Sequence, residues 1–298
     1  MTNFAEQLSS SLAAVVEAAA PSVVRVDGHR RVWSSGTVWS ADGVVIGAHH
    51  ALEVDEGVEV GLADGKTVKA NVVGRDPGTD LAVLRVEASG LTPPRWGSTD
   101  AARVGHLVLA LSRPGKSARA SFGILGALGE GWRTPAGGKV ERYLQSSIAP
   151  ERGFSGGVLV DVAGAALGVN TAGLLRGSGI TLPEPTLKRV VDAVLAHGRV
   201  RRGYLGISAY PARLPAALSD ELGQRGALIV VGVQPDSPAD KAGLLQGDLL
   251  VTLAGQALLG IGDLQGLLDE ERIGRVLPAK IVRAGRPLEI GVTVGTRP

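Results

Sequence analysis

The stretch RGFSGGVLV (152–160) places a serine in a glycine-rich turn ahead of an apolar run. A serine hydroxyl is a weak nucleophile. It attacks a carbonyl only when an imidazole takes its proton and a carboxylate orients that imidazole. Alone, then, Ser155 is a turn residue, and the chain must supply its partners elsewhere. Five histidines are available: His29, His49, His50, His106 and His197. His49 and His50 close the apolar segment DGVVIGAHHAL. Asp80 stands just before the apolar run of RDPGTDLAVLRV, while Asp76, next to Pro77, reads as a turn residue. His106, in GHLVLA, reads as a strand residue near the surface. Cysteine is absent, which excludes a thiol nucleophile, disulfides and Cys-zinc sites.

The elements that must position these groups are short. Residues 5–20 read as one amphipathic helix ended by Pro21. β-Branched runs then follow at close spacing: SVVRV, SGTVWS, GVVIGA, GVEVGLA, KTVKANVVG and LAVLRV, then HLVLALS, SFGILGAL, ERYLQSS, GGVLVD, AALGVNTA and SGITLP. ADG signals at 41–43 and 63–65 punctuate them as hairpins do. Many short strands without intervening helices predict a mainly β sandwich or barrel pair. PTLKRVVDAVLAHG (185–198) has helical periodicity with Gly198 as its stop. From RVRRGYLGI onward, strand-like ALIVVGVQ, DLLVTLAG, AKIVRAG and LEIGVTVG alternate with helix-like SPADKAGL and DLQGLLDEER, a small α/β module.

Composition narrows the classes of function. Glycine is abundant, 43 of 298 residues, against a usual ~7%, which fits many tight turns. The net charge is +2, and RVRR (199–202) is the densest basic run, so no basic face for nucleic acid is expected. The longest uncharged runs, 162–175 and 249–262, fall short of the roughly 18 residues of a membrane span. The first residues lack the Lys/Arg start of a secretory signal, and Glu6 and Glu17 interrupt their apolar stretch. The expectation is a cytoplasmic chain, with the periplasm as the alternative if an export signal has been removed.

Taken together, DGVVIGAHHAL, GRDPGTDLAVLRV and RGFSGGVLV, in the order His, Asp, Ser, resemble the HtrA/Deg branch of trypsin-like serine proteases. SSGTVWSADG and VLVDVAGAALGVNTAG extend the match. Segment 203–296 resembles one PDZ domain through YLGI and GVQPDSPADKAGLLQGDLLVTLAGQAL. The resemblance implies an N-terminal helical segment (1–20), a trypsin-like double β-barrel protease domain (21–198) and a PDZ domain (199–298). It implies Ser155 as nucleophile, His50 as general base and Asp80 as its orienting carboxylate. His50 is preferred over His49 because the family's base lies three positions past the strand-end residue, here Gly47. The N–H groups of Gly153 and Ser155 would form the oxyanion hole. Trypsin-like enzymes that cut after Lys or Arg carry an aspartate six positions before the serine; Ala149 stands there. A pocket for small or medium aliphatic residues is therefore expected, with Leu174 and Leu175 as walls.

In the PDZ module, Tyr204, Leu205, Gly206 and Ile207 would form a carboxylate-binding loop, and a peptide C-terminus would add as a strand. Leu264, Leu267 and Leu268 would line the pocket for its last side chain. The resemblance further implies unfolded or damaged proteins as substrates, no metal or cofactor, and a homotrimer built through the segment around residues 5–25. Departures fall before the histidine and on both sides of the serine, the loop before it included. Gly47 and Ala48 replace Thr-Asn, Phe154 replaces Asn, Val158 replaces Pro, and SSIAPERG (146–153) departs from DAAINPG. In this family the loop 146–153 switches between competent and incompetent arrangements. A non-enzymatic peptide-binding or chaperone protein is thus the alternative.

Overall fold

The computed structural model describes residues 3–28, 33–175 and 177–296, so His29 lies outside the described residues. The chain divides into two compact units between Val200 and Arg201. Helix α1 (Phe4–Ala19) starts in a capping box, in which the Asn3 side chain and Glu6 satisfy first-turn N–H groups. Leu12, Val15 and Val16 on one face pack against barrel residues Leu109, Leu111 and Val158. Pro21 falls within a 3₁₀ turn, Ala20–Ser22, and the first strand follows at once.

The first barrel closes from β1 (Val23–Asp27), β2 (Ser34–Ser40), β3 (Val44–Ala48), β4 (Val58–Gly61), β5 (Thr67–Asp76) and β6 (Leu81–Val86) in the order β1-β2-β3-β6-β5-β4. The second uses β7 (Leu107–Ser112) and β8 (Arg119–Gly129). A small hairpin follows, β9 (Trp132–Arg133) and β10 (Lys139–Val140), which the periodicity did not signal. Then come β11 (Tyr143–Ser146), β12 (Val158–Asp161), β13 (Ala166–Thr171) and β14 (Ile180–Pro183), closing in the order β11-β14-β13-β12-β7-β8. Helix α2 (Glu184–His197) ends at Gly198 in the left-handed conformation. It buries Leu187, Val190, Val191 and Val194 in a core shared by Ile46 and Val83 of the first barrel and Val169 and Leu182 of the second. Each such side chain contributes about 1.5–3 kcal/mol by leaving water. This common core fixes the two barrels against each other, and the site forms where they meet. His106 is exposed, in the turn just before β7.

The second unit runs β15 (Gly203–Tyr204), β16 (Ile207–Arg213), α3 (Ala216–Leu222), β17 (Gly226–Val233), α4 (Pro238–Lys241), β18 (Leu249–Leu253), β19 (Gln256–Ala257), α5 (Ile261–Gly266), β20 (Val276–Arg283), β21 (Arg286–Thr293) and β22 (Gly295–Thr296). Its main sheet has the order β16-β17-β18-β20-β21, which leaves β16 at an edge. Helix α5 is shorter than the run DLQGLLDEER suggested. Gly262 and Gly266 weaken it, Leu267 is its C-cap, and a separate 3₁₀ turn covers Glu270–Arg272. Helix α3 was not foreseen. Among the described residues no helix is long and apolar enough to cross a membrane.

Candidate active site

Pairing of β3 with β6 sets Ala48 opposite Leu81, so the residues just beyond these strand ends, His49–His50 and Asp80, become neighbours. Asp80 has a φ of 58°, a left-handed conformation that aspartate tolerates better than most residues. The turn after β3 is bonded to Asp80 three times. Its carbonyl accepts from His49 N–H at 3.0 Å. Oδ1 accepts from His50 N–H at 2.9 Å, and Oδ2 meets His50 Nδ1 at 2.7 Å. Thr171, at the end of β13 in the other barrel, donates its hydroxyl to the same Oδ2. Asp76 instead organises its own turn, accepting from Gly78 N–H and the Thr79 hydroxyl.

The two histidines thus have separate surroundings. The hydrogen bond that His50 donates to Asp80, opposed by partial burial and reinforced by the carboxylate charge, raises the His50 pKa above the ordinary 6.5. Burial, with the Arg75 guanidinium next in weight, lowers that of His49. Arg75 also holds the segment after His50, donating to the Leu52 carbonyl at 2.6 Å, the Val54 carbonyl at 2.8 Å and Asp55 Oδ1 at 2.9 Å.

Ser155 is buried in the turn between β11 and β12, with 8% of its surface exposed. Its carbonyl accepts from Ser35 N–H at 3.2 Å, and Gly156 N–H donates to the Asn170 carbonyl at 2.8 Å. The Ser35 hydroxyl donates to the Gly153 carbonyl at 2.6 Å and accepts from Arg113 N–H at 2.8 Å. These bonds turn the loop's carbonyls into the protein. The N–H groups of Gly153 and Ser155 have no acceptor among the described residues, an arrangement suited to a developing oxyanion. Gly153 adopts φ +89°, and an added Cβ there would lie 2.5 Å from Pro114 Cβ, so the turn requires glycine. Phe154 buries its ring in the second barrel's core with Val108, Leu125 and Leu159, which anchors the loop where the resemblance would place asparagine. The Ser155 hydroxyl accepts from Ala172 N–H at 3.2 Å. No hydrogen bond joins it to His50 among the described residues; such bonds often tighten only when substrate seats.

A pocket opens beside Ser155, about 310 Å³ with the open solvent at its mouth included. Ile148, Ala149, Phe154, Asn170 and Ala172 are among the residues that line it. Ala149 is thus on the pocket wall. Leu174 and Leu175 do not line the pocket: both are half-buried beyond the end of β13, and Leu174 packs against the core shared by the barrels. Spacing also missed Thr171, Ser35 and Arg75, each of which acts on a segment distant in sequence.

In the second unit, the Leu205 carbonyl accepts from Ala239 N–H and the Gly206 carbonyl from Gln234 N–H, both at 2.8 Å. The N–H groups of Leu205 and Gly206 have no acceptor among the described residues. The Tyr204 hydroxyl donates to Gln234 Oε1. Ile207 opens the edge strand β16 and is half-buried against the core. Leu264 lies on α5 and is buried; Leu267, past the helix, is buried in the same core; Leu268, half-buried, has its carbonyl bonded by Gly203 N–H at 2.9 Å. Only Leu264 of the three belongs to the helix.

Comparisons with known proteins agree with this layout. The trypsin-like peptidase domain matches residues 34–169, and the PDZ domain matches residues 229–283. A protein of Chlamydia trachomatis serovar D named a probable periplasmic serine endoprotease DegP-like is 34% identical over 269 residues, covering 88% of this chain and 54% of the relative. One of the same name from Marinomonas sp. strain MWYL1 is 32% identical over 277 residues, covering 91% and 58%. The chain spans about half the length of the curated relatives it matches. Among solved structures, the HtrA-type protease AlgW with tripeptide is 31% identical with a TM-score of 0.76, over 96% of this chain and 97% of that one. The serine endoprotease from Yersinia pestis is 27% identical with a TM-score of 0.77, over 96% and 98%.

Proposed function

Because the chain belongs to the HtrA-type family of trypsin-like serine proteases, we propose that it is a serine endopeptidase of protein quality control. The observation that carries this reading is the bonded Asp80–His50 pair, tied by Thr171 to the strand end whose next residue, Ala172, bonds the hydroxyl of a serine whose loop leaves two N–H groups unclaimed among the described residues. Ser155 Oγ bonds to the scissile carbonyl carbon while His50 Nε2 takes the hydroxyl proton. The carbonyl π pair moves onto oxygen and is held by the N–H groups of Gly153 and Ser155. The C–N bond then breaks as His50 returns the proton to the leaving amine. Water, activated by the same imidazole, releases the acyl group from Ser155. Asp80 keeps Nδ1 protonated and Nε2 basic throughout.

Ala149 leaves the pocket without a carboxylate where a lysine- or arginine-cutting enzyme has one, which supports cleavage after small or medium aliphatic residues. Unfolded or damaged proteins are the substrates. In the PDZ domain, apolar C-termini extend edge strand β16 and place their carboxylate at the free N–H groups of Leu205 and Gly206. The protein assembles as a homotrimer, for which the helix α1 end exposes Phe4, 77% accessible. Relatives with a periplasmic name support that compartment, and nothing supports the cytoplasmic expectation.

Two results are expected. A fluorophosphonate labels the tryptic peptide that contains Ser155, and casein is degraded faster in the presence of a peptide with an apolar C-terminus. A purely peptide-binding protein would hold casein and take no label, which would sink the reading. For a small peptide substrate, kcat/KM rises with pH as His50 loses its proton. Since the pKa of His50 is raised, the midpoint of that rise lies above 6.5. A midpoint below 6.5 would show that Asp80 does not stabilise the imidazolium.

A further inference from the structure

Ser35 lies on β2 of the first barrel and is fully buried. Its hydroxyl donates to the Gly153 carbonyl, 118 residues away in sequence. Two further bonds from the same strand reach the turn that carries the nucleophile. Ser35 N–H donates to the Ser155 carbonyl, and the Thr37 hydroxyl donates to the Gly156 carbonyl at 2.8 Å. The bond to Gly153 bears on the oxyanion hole. The Gly153 N–H belongs to the peptide joining residues 152 and 153. Neither that N–H nor the Arg152 carbonyl has a partner among the described residues. Its direction is therefore inherited from the next peptide, 153–154, through the dihedrals of Gly153, the residue type with the widest freedom to turn. That next peptide is fixed at both ends. Ser35 holds its carbonyl, and Phe154 N–H donates to the Glu151 carbonyl at 3.2 Å.

Arg113, just past the end of β7, sets the Ser35 hydroxyl for this bond. Its N–H donates to Ser35 Oγ at 2.8 Å, which leaves the hydroxyl proton to the Gly153 carbonyl. The Arg113 side chain is itself buried, and no carboxylate pairs with it among the described residues. A buried cation without a counter-charge is costly. Here the guanidinium is spent on three carbonyls from three segments. It donates to Val23 of β1 at 2.7 Å, to Ala20 of the 3₁₀ turn after α1 at 3.0 Å and to Lys116 at 2.9 Å. Those bonds pin residue 113 against the first barrel. Pro114 follows, and its Cβ would lie 2.5 Å from a Cβ placed on Gly153, so its ring packs directly on the oxyanion turn. We propose that Ser35 is a positioning residue of the oxyanion hole, held to that task by the Arg113 guanidinium. The proposal rests on the endopeptidase reading and adds two residues outside the triad to it. Losing either one weakens binding of the transition state, whose oxyanion needs the Gly153 N–H, and spares the ground state.

The test compares the full chain with Ser35→Ala, Arg113→Lys and the double variant on a peptide substrate. In Ser35→Ala, kcat falls about tenfold, the worth of one hydrogen bond, while KM stays close to wild type. Arg113→Lys gives a smaller fall of the same kind, since an ammonium does not reproduce the planar fork. The double variant loses little more than Ser35→Ala, because the two residues act in series. Two inhibitors isolate the oxyanion. A peptide trifluoromethyl ketone takes Ser155 Oγ at its carbonyl carbon, the hydroxyl proton passes to His50, and the charge stays on the ketone oxygen. The corresponding alcohol fills the same subsites and forms no such bond. Ketone affinity falls with kcat, and alcohol affinity does not change. The midpoint of the pH profile also stays in place, because the His50–Asp80 pair is untouched. If either single variant fails to fold, the other decides by the same pair of affinities. Wild-type kcat and ketone affinity in Ser35→Ala overturn the proposal and leave the endopeptidase standing. So does an alcohol affinity that falls as far as that of the ketone, which marks general damage to the site. A wild-type chain that neither cleaves nor takes the fluorophosphonate label overturns the endopeptidase and the proposal with it.

Discussion

Ser155→Ala is expected to lower kcat for peptide hydrolysis by about 10⁶-fold, and combining it with His50→Ala to cost little more, as for a hydroxyl and an imidazole that act as one unit. Asp80→Asn is expected to cost less, about 10⁴-fold. The structure shows why the carboxylate cannot be replaced by its amide. Oδ1 accepts from His50 N–H and Oδ2 from both His50 Nδ1 and the Thr171 hydroxyl, so every polar neighbour of Asp80's side chain donates. An asparagine NH₂ placed on either side meets a donor. It favours the imidazole tautomer with the proton on Nε2, which cannot accept from Ser155. Thermal melting should show all three variants folded, since Ser155 and His50 carry no core packing and asparagine keeps the shape of Asp80. Initial rates on a peptide with an aliphatic residue before the cut provide the measurement. Hydrolysis persisting within tenfold of wild type in Ser155→Ala would move the chemistry to another nucleophile.

Much of this arrangement is legible in the sequence. The twelve β-branched runs each became a barrel strand, because period-2 burial and glycine turns are local signals. His50, Asp80 and Ser155 could be named from three short motifs, each fixed by the end of its own strand. What stayed hidden depends on barrel closure. The Thr171 hydroxyl reaches Asp80 across 91 residues of sequence, and the pocket takes Ala110 from β7, Ser146 from β11 and Asn170 from β13. Leu174 and Leu175, expected as walls, fail for the same reason. Past Thr171 the chain leaves the barrel, and Leu174 turns to the shared core instead. The helix of the PDZ domain was overextended for a different reason: leucine spacing outweighed Gly262 and Gly266, which cost about 1 kcal/mol each in a helix.

Gly173→Ala is expected to reduce kcat/KM by about 10²-fold while the variant stays folded, with only a small loss of stability. The residue is exposed, and its backbone lies outside the left-handed region, so alanine is conformationally acceptable there. The strain of the new contact offsets what restricting the unfolded chain would gain, so the melting temperature should not rise. The damage is local. A Cβ on residue 173 would lie 2.4 Å from Asp80 Oδ2 and 2.6 Å from His50 Nδ1, against the hydrogen bond that joins them. Neither atom can retreat cheaply: the carboxylate is also held by His50 N–H and the Thr171 hydroxyl, and Gly173 N–H itself donates to Thr171 Oγ1 at 3.0 Å. The methyl must therefore push the imidazole out of line with Ser155 or part it from Asp80. Displacement of the base lowers kcat and leaves KM close to wild type, because the pocket wall is untouched. It also lowers the midpoint of the pH profile, since an imidazole parted from Asp80 loses the interaction that raises its pKa. A variant with wild-type kcat and an unmoved pH profile would mean that the His50–Asp80 pair shifts as a unit and keeps its geometry. The tight approach of Gly173 would then be incidental to catalysis.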